Sequence, residues 1–568
     1  MKYSKRYIVF TVLLIFVFLL KFQIWGADRA QVGEFRGGSL DAQVWNPLVA
    51  GDVNAKQIKA VIDNREYDSD DENFYMNEDR NIMVPVSMLR DALNCSARVY
   101  DEQELLVEKH SQSIAFRLGE KTAYVNGEEQ DITSSLARRG DRLFVSLNDL
   151  SELLGYHYTF DIATNTITAS DTDTSAVIPA KYDLRDKERV SKIYNQGAYG
   201  TCWAFAATSA LESSLRPEEK SAFSVDHMSM SNSFHANQFD GGEYTMGMAY
   251  LAAWQGPVYE KDDPYGDNRT DNSLKAVKHV QEMQMIDGKD YEGIKEAVFK
   301  CGGVQTSLYS TIRSSQGSSM YYNSDTAAYC YIGTEKPNHD VVIIGWDDNY
   351  PRSNFNTPLE GDGAFICQNS WGEDFGENGV FYVSYYDTNI GTHNVVYTRV
   401  EDTDNYSQIY QSDLCGWVGK LGYNSEHIYG ANVFTAEKKQ EISAAAFYAT
   451  GANTEYEVYV VRHFKNEKSF SQREKVAEGT LQKAGYYTID FVNPVEVDEG
   501  ERFAVLVYIN TPDTKHPMAI EYNTGEKIMQ DVELEDGEGY ISLNGKKFVD
   551  VKEKKDCNLC IKAFARNK

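Results

Sequence analysis

Cysteine is scarce in this chain, with eight residues in 568. That is too few for a disulfide-dense scaffold, in which cross-links replace a core. Positive charge is in deficit as well. Lys and Arg number 56 against 85 Asp and Glu, a formal net charge of −29. Without a basic footprint, nucleic acid is excluded as the main partner. Long apolar runs are limited to one, Tyr7 to Leu20, which excludes a polytopic membrane protein. Metal-ligand spacing is missing too. No acidic loop has the EF-hand pattern, and the lone Cys-x-x-Cys, Cys557 and Cys560, has no second pair to complete a zinc site. No cofactor and no metal are expected, structural calcium on the acidic C-terminal loops being the one exception left open. What is present is a chain 42% hydrophobic and 12% aromatic, which is not disordered. It is long enough for about three or four domains, each with its own core.

The single apolar run follows Lys2, Lys5 and Arg6 and ends at Lys21. A basic start, a short apolar segment and small residues at Gly26 and Ala27 read as an export signal over residues 1–26. Ile24 and Trp25 are bulky where a cleavage site prefers small residues, so an uncleaved anchor is the other reading. Either way the bulk of the chain is expected outside the cytoplasm, secreted or held at the cell surface. A glycine-punctuated linker occupies 27–55.

Residues 56–171 contain an internal repeat. Val84–Asn94 aligns with Val145–Gly155, with apolar positions coinciding at Val84/Val145, Val86/Leu147, Leu89/Leu150 and Leu93/Leu154. Leucines three and four apart share one helix face, and each copy runs on into alternating strand patterns. The region resembles the small surface-protein domain named after the N-terminal domain of copper amine oxidases. That resemblance implies a noncatalytic stalk, not copper chemistry, and the isolated His110 and His157 are read as ordinary residues. A second linker follows near Asp171–Asp173.

The chemistry-bearing residues lie in 177–400. Gln196-Gly-Ala-Tyr-Gly-Thr-Cys202-Trp-Ala-Phe opens a helix predicted over Trp203–Leu215. A thiol at a helix N-terminus feels the positive end of the macrodipole, which favours the thiolate. Far downstream, Asn338-His339-Asp-Val-Val-Ile-Ile-Gly-Trp reads as a buried strand with the imidazole at its start. Gly363-Ala-Phe-Ile-Cys-Gln-Asn369-Ser-Trp371-Gly is a second apolar strand that delivers one carboxamide at its end.

These three segments, with an opening at Ala180–Asp186 and a glycine-rich turn at Trp371–Gly379, resemble the papain-like cysteine peptidases. The resemblance implies a two-lobed catalytic domain, a helical lobe facing a β-barrel-like lobe, and assigns roles. Cys202 would be the nucleophile and His339 its ion-pair partner and general acid. Asn369 would orient the ring, Gln196 would donate to the oxyanion, and Trp371 would shield the Asn–His bond. Gly241 and Gly242 would pair with an extended substrate backbone. Tyr199 stands where family members often have a bridged cysteine, so that bridge is absent here. Of the seven other cysteines, Cys301 and Cys330 are the pair open to bridging. Cys557 and Cys560 form either a local disulfide or nothing special.

From 405 to 568 strand patterns recur between turns and few helical stretches intervene, which suggests an antiparallel β-sandwich. Tyr410–Trp417, Ala431–Phe434 and Ala446–Tyr448 resemble the lectin-like domain of some clostridial surface cysteine peptidases. That resemblance implies a cell-wall glycan or surface polymer as a partner. The expectation is therefore a multidomain α+β protein: a repeat domain, a papain-like domain and a sandwich. It would be a monomer that cuts protein or peptide substrates through a Cys acyl-enzyme. A catalytically silent surface adhesin and a Cys-His acyltransferase are the alternatives left open.

Overall fold

The computed structural model describes residues 58–567 save for short stretches, among them 69–73, 162–165, 172–177 and 313–316. The export segment, the first linker, most of the second and His110 lie outside the described residues. Among the described residues no helix is long and apolar enough to cross a membrane.

The repeat of the first region becomes paired elements. Strand Ile82–Pro85 leads through a 3-10 turn into helix Leu89–Leu93, and strand Arg142–Ser146 leads into helix Leu147–Leu153. The two strands lie antiparallel with Val145 opposite Val84, the residues that the internal alignment equates. Helices this short do not hold by themselves in water. They persist because Leu89, Leu93, Leu147 and Leu150 are fully buried, and because Ser146 caps the second by accepting the Asp149 N–H at 3.0 Å. Five strands from Ser96–Tyr100 to Glu128–Asp131 form a meander between the copies.

In the central region helix Cys202–Leu215 has Trp203 through Ser213 buried without interruption. A helix buried on every side must be surrounded. It packs on helices Val225–Met230 and Tyr244–Ala252 on one side and on strands Val304–Leu308 and His339–Asp347 on the other. The opening segment binds the far end of the histidine strand: Lys181–Asp183 pairs with Gly345–Asp347. Gly345 is required there, since a Cβ would lie 2.2 Å from the Tyr182 carbonyl oxygen. Trp346 Nε1 donates to the Pro179 carbonyl at 2.8 Å.

The C-terminal region is a sandwich, but it is not a separate bead. Strand His279–Ile286 pairs with Asn394–Glu401 on one edge and with Ala484–Val497 on the other, Met283 opposite Tyr486. One 13-stranded sheet therefore runs from the lobe that carries His339 into the sandwich. Its distal half faces a six-stranded sheet across a core that includes Phe447, Tyr456, Val458, Tyr487, Phe503 and Val505.

None of the eight cysteines is in a disulfide, which corrects the two bridges considered from sequence. Cys301 caps helix Tyr291–Lys300, whereas Cys330 belongs to a separate small cluster with Tyr350 and Phe355. Sharing one half of the sequence region did not place them in one core. Cys557 and Cys560 are buried thiols at adjoining strand ends.

Candidate active site

Cys202 is the first residue of its helix, where backbone N–H groups have no partner within the helix. Thr201, just before it, turns its hydroxyl to Tyr265 Oη at 2.7 Å and leaves the helix end uncapped by a side chain. The sulfur receives backbone N–H groups from Trp203, from Cys202 itself and from Asp340. The last of these places the thiol at the start of the histidine strand.

His339 and Asn369 meet there. His339 Nε2 lies 2.8 Å from Asn369 Oδ1, and the Ser370 backbone N–H donates to that same oxygen at 2.8 Å. A backbone N–H can only donate, so the atom it meets is the amide oxygen and not the nitrogen. Nε2 must then carry the proton, and in the neutral ring Nδ1 holds the lone pair. Trp371 stacks on the imidazole with ring centroids 4.7 Å apart and planes at 28°, and it is held in turn against Phe375. His339 and Asn369 are 7% and 4% exposed, so their bond is made away from water.

Burial drives both reactive groups toward their uncharged forms. Desolvation, with the Asp340 charge adding to it, pushes the Cys202 thiol up to about 12 against the three backbone N–H groups. Desolvation also pulls His339 down to about 4, against the bond to Asn369. Neither group favours a charge alone, so charge is favourable here only when sulfur and ring carry opposite signs together.

Gln196 is buried beside the thiol helix. Its Oε1 accepts from Ser370 Oγ at 2.7 Å and its Nε2 donates to the Tyr199 carbonyl at 2.7 Å. An amide nitrogen has two hydrogens, so a second N–H remains. The glycine pair forms the opposite rim. A Cβ on Gly242 would lie 2.4 Å from Trp203 Nε1, and one on Gly200 would lie 2.8 Å from Gly241 Cα. Glycine at these positions lets the two loops touch through their backbones, and the Gly200 N–H donates to the Gln238 carbonyl at 2.7 Å. Where a cysteine bridge is missing, the Tyr199 ring packs on Phe239 at 4.9 Å and joins the same two loops.

All seven residues singled out from sequence thus lie at the junction of the thiol helix, the histidine strand and the 237–242 loop. Ser370, Gln305 and Asp340 were missed. Asp340 is buried next to Cys202, and its carboxyl is pushed up to about 6 by desolvation against bonds from Ser307 and Gln305. The available signal was a lone carboxylate inside an otherwise β-branched run.

Residues 178–400 match the family model described as papain family cysteine protease. The chain carries a papain-family cysteine protease domain. Residues 61–169 match the copper amine oxidase N-terminal domain and 409–565 the lectin-like domain. Among curated proteins the papain-family domain is 31% identical over 214 residues to the cysteine protease Amb a 11.0101 of Ambrosia artemisiifolia, which covers 36% of this chain and 50% of that protein. It is 26% identical over 215 residues to cathepsin S of Bos taurus, covering 36% and 60%. The chain thus spans about half to three fifths of the length of these relatives. Among solved structures, the clostridial cysteine protease Cwp84 after propeptide cleavage aligns with a TM-score of 0.62 at 26% identity, over 68% of this chain and 99% of that one. The cysteine protease and lectin-like domains of Cwp84, a surface layer associated protein of Clostridium difficile, align with a TM-score of 0.60 at 25% identity, over 69% and 89%.

Proposed function

We propose that the protein is an exported cysteine endopeptidase that hydrolyses peptide bonds through an acyl-enzyme on Cys202. The observation that carries this reading is the double use of Asn369 Oδ1, which leaves His339 Nδ1 as the basic nitrogen, on a strand whose next N–H, that of Asp340, reaches the half-buried Cys202 sulfur. The Cys202 proton passes to Nδ1 and the thiolate attacks the scissile carbonyl carbon. Oxygen then carries the negative charge, near the Cys202 N–H and the spare Gln196 N–H. As the C–N bond breaks, Nδ1–H protonates the leaving amine and a thioester to Cys202 remains. Water, deprotonated by the same nitrogen, releases the acid and restores the thiol. Trp371 keeps bulk water off the bond that orients the ring, and the backbones of Gly241 and Gly242 take an extended substrate.

Export rests on the basic and apolar start of the chain and on the surface-layer association of the Cwp84 relative. The lectin-like family of the sandwich supports a glycan of the cell surface as the polymer it docks on. The test of the peptidase reading is hydrolysis of an unfolded protein by the full chain and by Cys202→Ala. Loss of cleavage in the variant, with a thioester-linked fragment on Cys202 in the wild type, is expected. Equal cleavage by both would remove Cys202 from the mechanism.

A further inference from the structure

Asp340 takes no part in the steps above, yet it lies beside the reacting thiol. It is 8% exposed and accepts from Gln305 Nε2 at 3.1 Å. Gln305 Nε2 also donates to the Trp203 carbonyl at 3.3 Å, so this amide spans from the thiol helix to the histidine strand. A second carboxylate, Glu243, follows the glycine pair at the start of helix Tyr244–Ala252. It is exposed and within electrostatic reach of Asp340, and Tyr244 lies in the field of both. No cation is among the groups acting on Asp340. Burial pulls the neighbouring His393, its ring 5.1 Å from that of Tyr244, below its ordinary value against the Glu243 charge.

Two buried polar atoms close to Asp340 have no partner among the described residues: Gln305 Oε1, on the amide that Asp340 binds, and the hydroxyl of Tyr397, which feels the Asp340 charge. Both residues are 1% exposed. The Tyr397 hydroxyl can donate or accept, whereas Gln305 Oε1 and an ionised carboxylate can only accept. Gln305 Oε1 therefore needs a donor, and a carboxylate buried without a cation is costly. A primary ammonium or a guanidinium supplies several donors and the missing charge, on an apolar stem long enough to pass the rim. The net charge of −29 also draws basic chains toward the molecule.

We infer that Asp340 and Glu243 form a selectivity subsite for a Lys or Arg side chain close to the scissile bond of the substrate. Glu243 receives the cation at the rim, Asp340 and Gln305 Oε1 hold it beside Cys202, and the backbone of that substrate residue lies along Gly241–Gly242. The inference rests on the peptidase reading and sharpens it to substrates with a basic residue at one position near the cut.

The test is a set of peptides differing only by Lys, norleucine or Glu at each position flanking one cleavable bond. With the wild-type chain, kcat/KM at one position is expected to be at least tenfold higher for Lys than for norleucine, and lowest for Glu. Asp340→Asn and Glu243→Gln are each expected to reduce that ratio severalfold. Glu243 is exposed, so its variant remains informative if Asp340→Asn fails to fold. The same peptides are titrated into Cys202→Ala, where the Lys peptide is expected to bind at least tenfold more tightly. Cys202-dependent cleavage without a basic preference at any position overturns the subsite and leaves the peptidase reading standing. Absence of both cleavage and selective binding overturns the two together.

Discussion

Asn369 directs the chemistry of His339 through an atom whose identity its neighbours decide. Because Ser370 N–H and His339 Nε2 converge on one oxygen, Asn369→Ala removes both the ring's orientation and the preference for the tautomer with Nδ1 free. We expect it to lower kcat by more than tenfold while the protein stays folded, measured by single-turnover kinetics and a thermal melt. In the proposed mechanism Gln196 acts at the other end of the reacting carbonyl. Removing one oxyanion donor typically costs about a hundredfold in kcat, or ~3 kcal/mol, and Gln196→Ala is expected to do so with KM little changed. The sequence made His339 and Asn369 legible because each is a polar side chain at one end of an apolar run, and Gln196 through the family resemblance of the segment that leads to Cys202. Gln305 and Ser370 carry no such mark. Their importance comes from what they touch: the Trp203 carbonyl and Asp340 in one case, Gln196 Oε1 in the other.

The helix that presents the thiol is the central element, and its burial has a pH signature. Glu212, inside Cys202–Leu215, accepts from the Phe223 N–H at 2.9 Å, and desolvation raises its carboxyl to about 8. The folded state thus binds a proton that the unfolded chain releases near its ordinary value of 4.5. This contribution to stability is complete below the unfolded value and is lost as pH rises toward the folded one, at about 1.4 kcal/mol per unit. Glu212→Gln is expected to flatten the stability profile between pH 5 and 8, read from denaturant midpoints at successive pH values. The glycine contacts behave differently. Gly242→Ala puts a methyl against the Trp203 indole, and overpacking of this kind costs roughly 1–3 kcal/mol. We expect a lower melting temperature and a raised KM, because the rim moves away from the thiol helix.

At the scale of the molecule, the peptidase lobe and the sandwich share one sheet. Gly485 sits at the seam with φ +150, and a Cβ there would lie 2.2 Å from the Met283 carbonyl oxygen. The wild-type chain is expected to melt these two regions in a single calorimetric transition, and Gly485→Val to separate them into two. A buried charge network ties the N-terminal domain to the same seam. Arg98 contacts Glu108 and, at 3.3 Å, Glu401, while Arg399 bridges Glu401 at 2.5 Å and Asp490 at 2.8 Å. Breaking one partner of a buried pair typically costs about 3–5 kcal/mol. Arg98→Met is therefore expected to speed proteolytic release of the N-terminal domain, followed by mass spectrometry of the fragments.

The sequence by itself determined the local elements and marked the groups proposed to react. Helix faces, strand ends, the internal repeat and the positions of thiol, imidazole and carboxamide are all written as short-range patterns of apolar and polar residues. Only the tertiary structure decided that the sandwich continues the sheet of the His339 strand, that Cys301 and Cys330 lie in different cores, and that Asp340 is buried beside Cys202. Those outcomes depend on which strand edges pair and which buried atoms lack partners. Both are settled by packing between segments hundreds of residues apart, on which the chain's local pattern places no constraint.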